Sequence, residues 1–266
     1  MKTTGAAGSE AASRIIEGNK LEVADVILCR HKRSFFSWLI MWGTKSHWSH
    51  AALVFVIRNE NAGFGNSFVI ESIRDGISIT NLRDYLEDVR HYDIGIKRLE
   101  RPWFANSDSG LAIRKKVRGQ MLDFIKKRYD VGMIFQIAAM VLAKLIFGAR
   151  SALYGLEHEI QRTHRKKKLV PSEFICSGFV QYALYATVRD LVQQKQLSLD
   201  DLKAVVLNPK LANHADVMRL PLSTLLATTP EDIAQNQQLT WKYVVKGGRP
   251  YEVRSPAEVD AIMGRR

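Results

Sequence analysis

The 266-residue sequence predicts an α+β fold, an antiparallel sheet packed against helices, from three observations. Through the first hundred residues, short runs rich in Val, Ile, Leu and Phe alternate with connectors built from Gly, Asn and Asp, as strands joined by tight turns do. Further along, apolar residues recur three and four apart, the spacing of helices with one buried face. The composition, 46% hydrophobic and 25% charged, is that of a globular domain with a sizeable core. We expect one domain over residues 21–245, a loosely held lead-in over 1–20, an apolar and basic insert at 131–168, and a loosely attached tail at 246–266.

In chain order, residues 21–29 read as the first strand. Phe35, Trp38, Leu39 and Trp42 then share one helical face, which fits either an aromatic wall beside a site or ordinary core packing. From His50 an uninterrupted apolar run to Ile57 reads as a buried strand. Residues 59–66 form a hairpin-type connection, and 67–72 a second strand ending in Glu71-Ser72. Arg74-Asp75-Gly76 marks a tight turn into an alternating strand at 77–80, which completes an antiparallel meander. A short helix over 82–89 and a strand over 93–99, stopped by Pro102, come next. Asp108 opens a helix to about Lys127, with Leu111, Val117, Met121, Leu122 and Ile125 on its apolar side. Residues 199–207 and 220–226 are helical or extended, Thr229-Pro230 starts a helix, and 239–245 form a strand.

The chemistry gathers at Cys176. After Pro171 an extended segment gives way to a helix whose buried face is Phe179, Val180, Ala183, Leu184 and Thr187. Cys176 falls in the first turn, where free N–H groups and the positive end of the helix dipole favour thiolate over thiol. Such a thiolate is a usable nucleophile, and the neighbouring N–H groups can hold a developing oxyanion. A small buried hydrophobe is the alternative. Upstream, His50 enters one strand and Glu71 closes the next, so histidine, acid and cysteine supply the parts of a Cys-His-acid site. His47, three residues before His50 in a Lys/Ser/Trp-rich loop, competes with it for the base role. Cys29 sits inside an apolar strand and reads as packing.

In this order (His50 entering a strand, Glu71 closing the next, Tyr129-Asp130, then Cys176-Ser177 opening a helix) the chain resembles the circularly permuted papain-like NlpC/P60 superfamily. Within it the closest resemblance is to the YiiX/YebB-type cysteine hydrolases. The likeness runs from about Val23 to about Ile233, and takes in Ala24-Asp25-Val26-Ile27-Leu28 and Thr229-Pro230-Glu231-Asp232-Ile233. It implies a permuted papain-like fold with Cys176 as nucleophile, His50 as base and Glu71 orienting the imidazole. It also puts Tyr129 and Ser177 on the substrate or oxyanion side, although a structural tyrosine fits position 129 equally well. The implied reaction is amide hydrolysis through a thioester, with transfer of a lipid acyl chain as the alternative. A non-catalytic binding module on the same fold is the rival from another class.

Two cysteines give no disulfide framework and suit a reducing compartment. No set of Cys, His and acidic residues has metal-ligand spacing, and neither metal nor other cofactor is expected. Residues 1–13 carry no apolar core of signal-peptide type, so a cytoplasmic location is expected, with peripheral attachment to membrane. The net charge of +12 implies attraction to something anionic, nucleic acid or a membrane surface, with a solvated basic surface as the alternative. No zinc finger, phosphate loop or aromatic-laced RNA motif accompanies it, which leaves nucleic acid with charge alone in its favour. The apolar stretch 131–147 fits either a buried core helix or a segment resting in a membrane interface. The basic run 162–168 fits either a solvated loop or, with that stretch, a two-signal arrangement for an anionic membrane surface. Nothing in the sequence fixes the oligomeric state.

Overall fold

The computed structural model of the chain describes residues 10, 14–15, 20–57, 67–73, 76–123, 176–212 and 216–264. Tyr129, the apolar stretch 131–147, the basic run 162–168, the connection 59–66 and Arg74-Asp75 of the predicted turn lie outside the described residues, wholly or in part.

Seven strands form one antiparallel sheet: β1 (Val26–His31), β2 (His50–Val56), β3 (Phe68–Ile73), β4 (Gly76–Asn81), β5 (Tyr92–Leu99), β6 (Leu239–Lys246) and β7 (Arg249–Glu252). Their order is β4-β3-β2-β1-β5-β6-β7. The predicted antiparallel meander is therefore present as β1 to β4, and β1 lies at the centre of the whole sheet. Both faces of the central strands are covered, which is why β1 and β2 read as continuous apolar runs rather than alternating ones. Val26, Leu28, Ala51, Leu53 and Ile70 face the larger core. There they meet Val117 and Met121 of α3 (Asp108–Leu122) and Phe179, Val180 and Leu184 of α4 (Cys176–Gln193), in one cluster with Leu202 of α5 (Leu199–Ala204) and Leu211 of α6 (Pro209–Ala212). Ile27, Cys29, Ala52, Val54, Val69 and Ile96 face the other way, against Leu82 and Leu86 of α2 (Leu82–Glu87).

Several elements differ from expectation for identifiable reasons. The first strand begins at Val26, not Leu21, because the chain turns before it. Ala24 takes a left-handed φ of 68°, and the buried Asp25 carboxylate accepts from Glu22 N at 2.8 Å and from Arg98 at 2.7 Å. On α3 the buried stripe is Gly110, Arg114, Val117 and Met121, while Leu111 and Leu122 are exposed. The unforeseen member is Arg114, whose guanidinium donates to Phe104 O, pairs with Glu22 and covers the Phe104 ring. A buried charge is tolerable when it is paired and bonded in this way. In β5 the buried Lys97 likewise spends its donors on Ile233, Ala234 and Asn236 O at 2.7–2.9 Å, capping the C-terminal end of α8 (Pro230–Gln235).

The tail is not loosely attached. After Gly247 and Gly248 turn with positive φ, β7 pairs with β6. Helix α9 (Pro256–Met263) then docks Val259 and Met263 into the larger core. The Gly and Pro residues that suggested a free tail are turn and helix-start chemistry. Among the described residues no helix is long and apolar enough to cross a membrane.

Candidate active site

His50 is the first residue of β2, paired opposite Cys29 of β1. The loop that delivers it is clamped from three sides. Trp48 is fully buried against Trp241, the ring centroids 6.0 Å apart. Both rings fit only because residue 95 is glycine, where a Cβ would come within 2.8 Å of Trp48 and 2.9 Å of Trp241. Ser49 N donates to Cys29 O at 2.9 Å, and His47 Nε2 lies 2.9 Å from Asp260 Oδ1 of α9. The two histidines are thereby separated in role, since His47 ties the loop to the C-terminal helix and His50 turns to the site.

Glu71 stands in the middle of β3, opposite Ala52 and Ser78, and is 1% exposed. Its Oε2 lies 2.6 Å from His50 Nε2. Thr80 Oγ1 donates to Oε1 at 2.5 Å, and the Tyr85 hydroxyl lies 2.9 and 2.7 Å from the two oxygens. Burial alone would raise this carboxyl's pKa, but the bond and charge of His50 and the donors Thr80 and Tyr85 hold it below its usual value.

Cys176 opens α4 and is buried. Its thiol is hydrogen-bonded to the His50 ring, and the backbone N–H groups of Ala51 and Ser177 donate to the sulfur. With Nε2 taken by Glu71, Nδ1 is the ring nitrogen left for the thiol. Burial disfavours the thiolate, yet the His50 charge, its hydrogen bond and the two N–H donors bring the Cys176 pKa down. For His50, burial pushes down while the charges and bonds of Cys176 and Glu71 push up, and the imidazole ends well above its ordinary value. The two shifts belong to one pair, and both run in the direction that favours thiolate and imidazolium.

The residues after Cys176 explain how the sulfur is held there. Ser177 Oγ donates to Thr228 O at 2.6 Å and is buried. The Ser177 hydroxyl is therefore already committed, and it is the backbone N–H that faces the Cys176 sulfur. Gly178 lies against α7 (Leu222–Leu226), where a Cβ would stand 2.5 Å from Leu226 O. The Cys-Ser-Gly sequence thus supplies the sulfur, a tie to the next segment and the room for close approach.

Cys176, His50 and Glu71, singled out from the sequence, are brought together in series. Tyr129 lies outside the described residues. Sequence reasoning missed Thr80 and Tyr85. Thr80 was within reach, because counting back from the turn at Gly76 puts Ser78 opposite Glu71 and Thr80 diagonal to it on the same face. Tyr85 carries no comparable signal, since the short helix that presents it fixes its direction only in three dimensions.

Fold and site together define an α+β protein in which a thiol, an imidazole and a buried carboxylate are wired in line at a helix start. No protein-family model matches the chain, and no curated protein matches it. Among solved structures it is similar to the crystal structure of metalloprotein yiiX from Escherichia coli O157:H7. The identity is 16%, over 83% of this chain and 95% of that one, with a TM-score of 0.45. Among the described residues of this chain, no group of three or more His, Cys, Asp or Glu side chains could hold a metal ion.

Proposed function

We propose that the protein is a cysteine-dependent hydrolase acting on acyl groups, an amidase or peptidase of permuted papain-like type, with Cys176 as nucleophile, His50 as base and acid, and Glu71 as the group that orients the imidazole. The observation that carries the reading is the unbroken line of hydrogen bonds from Cys176 through His50 to a buried, ionised Glu71. The order of motifs that resembles the NlpC/P60 superfamily supports it.

In this reaction the thiolate adds to the substrate carbonyl carbon, and the oxyanion forms beside the N–H groups that face the sulfur. The His50 imidazolium gives its proton to the departing amine as the C–N bond breaks, leaving a thioester on Cys176. Neutral His50 then takes a proton from water, and the resulting hydroxide equivalent attacks the thioester. The carboxylic acid leaves and the thiolate–imidazolium pair is restored. Glu71 stays ionised throughout, fixing the ring so that Nδ1 faces the sulfur.

The test is an activated acyl ester such as a p-nitrophenyl ester, followed by intact mass. The expected result is a burst of p-nitrophenol with a hydroxylamine-labile acyl group on Cys176, both absent in Cys176→Ala. An equal burst from Cys176→Ala, or no adduct on Cys176, overturns the reading in favour of a non-catalytic module on this fold.

A further inference from the structure

Helix α1 (Phe35–Thr44) joins the end of β1 to the start of β2, so it lies at the end of the sheet where His50 stands. Its sequence, FFSWLIMWGT, has no charged residue. A helix apolar all round normally belongs inside a protein, yet no residue of α1 whose burial is described is buried. Phe35 is 69% exposed, Trp38 52% and Trp42 47%. The three rings form a ladder along the outer face, Phe35 to Trp38 and Trp38 to Trp42 each 5.8 Å between centroids, and the two indoles are within 9° of parallel. Large aromatic groups laid side by side at the surface mark an interaction site rather than scattered surface apolarity.

The charge around the ladder identifies what it meets. Between Asp25 and Glu60 the sequence contains no acidic residue, and the cations that flank the helix itself are Arg33 and Lys45. Exposed Arg33 precedes the helix and exposed Lys45 caps its far end. Aromatic and aliphatic groups between cations match the layered chemistry of a bilayer surface, where indole rings settle at headgroup depth and cations meet lipid phosphate. A second copy docked on this face through a two-fold would set Arg33 and Lys45 against the same cations.

We propose that α1 is a membrane-docking helix, and that Phe35, Trp38 and Trp42 enter the interface of an anionic phospholipid bilayer with Arg33 and Lys45 on its headgroups. Docked so, the His50 end of the sheet sits at the membrane surface. The proposal stands apart from the hydrolase reading, since a non-catalytic module could dock in the same way.

The experiment is flotation of the full chain with phosphatidylcholine vesicles, with and without phosphatidylserine. The wild type is expected to float with the phosphatidylserine vesicles, less so at high salt. Trp38→Ser/Trp42→Ser and Arg33→Glu/Lys45→Glu should each lower partitioning roughly tenfold or more, as loss of either of two signals does. Both double variants are expected to keep the wild-type rate of Cys176 alkylation, which reports an intact site. As a check free of mutation, brominated acyl chains should quench the wild-type tryptophan fluorescence. A wild type that stays in the soluble fraction overturns the proposal, as does flotation or quenching unchanged in both variants. A concentration-dependent dimer that Trp38→Ser/Trp42→Ser dissolves, without vesicle binding by the wild type, also overturns it and makes a second copy the occupant.

Discussion

The Tyr85 hydroxyl lies 2.9 Å from Glu71 Oε1 and 2.7 Å from Oε2, so the carboxylate that faces His50 is itself steered by a neutral phenol. Burial pushes the Tyr85 pKa far up, with Cys29 and Glu71 adding to it, so the phenol stays a donor. Tyr85→Phe keeps the ring and removes one donor, a change of about 1–3 kcal/mol for a buried charged acceptor. A carboxyl held below its ordinary pKa contributes stability that is present above its unfolded pKa and lost as pH falls through the folded one. In the variant the folded pKa of Glu71 rises toward its unfolded value, so the stability lost on acidification should be smaller and its loss complete at a higher pH. Urea denaturation across the acid range measures it. An equal stability loss at pH 4 and pH 8 would show that the phenol only fills space.

Glu71→Gln tests the other end of the line. The amide can still fill the site but cannot balance an imidazolium, so His50 loses part of what raises its pKa. With less charge on the ring the Cys176 thiol returns toward its ordinary value. Alkylation of Cys176 by iodoacetamide at pH 6 should fall by about 10- to 100-fold, with the pH–rate profile displaced to higher pH. A profile unmoved in Glu71→Gln would remove Glu71 from the site.

The two cysteines should separate sharply in the wild type. Burial raises the Cys29 thiol well above its ordinary value, and Glu71 and Cys176 add to this, whereas His50 and two N–H groups lower Cys176 against its burial. At pH 6, mass spectrometry should find iodoacetamide on Cys176 alone, with Cys29 reacting only after denaturation. Equal labelling in the native protein would contradict the ion pair.

What was legible in the sequence was local chemistry with a direction. Apolar runs and turn residues marked strands β1 to β5. The helix after Cys176 announced its buried face by spacing, and the capping box at Thr229 and Asp232 is present as Thr229-Pro230 suggested. Illegible were groups whose meaning depends on a distant partner. Arg114 looked like one more surface cation on α3, and only the carbonyl of Phe104 and the acid of Glu22 make it a core residue. Lys97 likewise breaks an apolar strand for the sake of a helix end more than a hundred residues away. The aromatic stripe of α1 lies on one helix face as its spacing predicts, but periodicity cannot tell an inward face from an outward one.

The close approach behind Cys176 gives the last prediction, a pair of glycines with opposite answers. At Gly178 a Cβ would stand 2.5 Å from Leu226 O and 2.7 Å from its Cα. These are backbone atoms that no rotamer change can move, so Gly178→Ala must push α4 and α7 apart. Overpacking of this kind costs about 1–3 kcal/mol, which for a chain of this length lowers Tm by roughly 2–4 °C per kcal/mol. The same push acts beside Cys176, so alkylation at pH 6 should slow along with the loss of stability. At Gly119, inside α3, a Cβ meets nothing within 4 Å, and Gly119→Ala should stabilise by about 0.5–1 kcal/mol through helix propensity alone. Its alkylation rate should match the wild type. Calorimetry and iodoacetamide labelling of both variants decide the matter. If Gly178→Ala melts with the wild type, the packing of α4 on Leu226 is looser than described, and the Cys-Ser-Gly sequence needs another explanation.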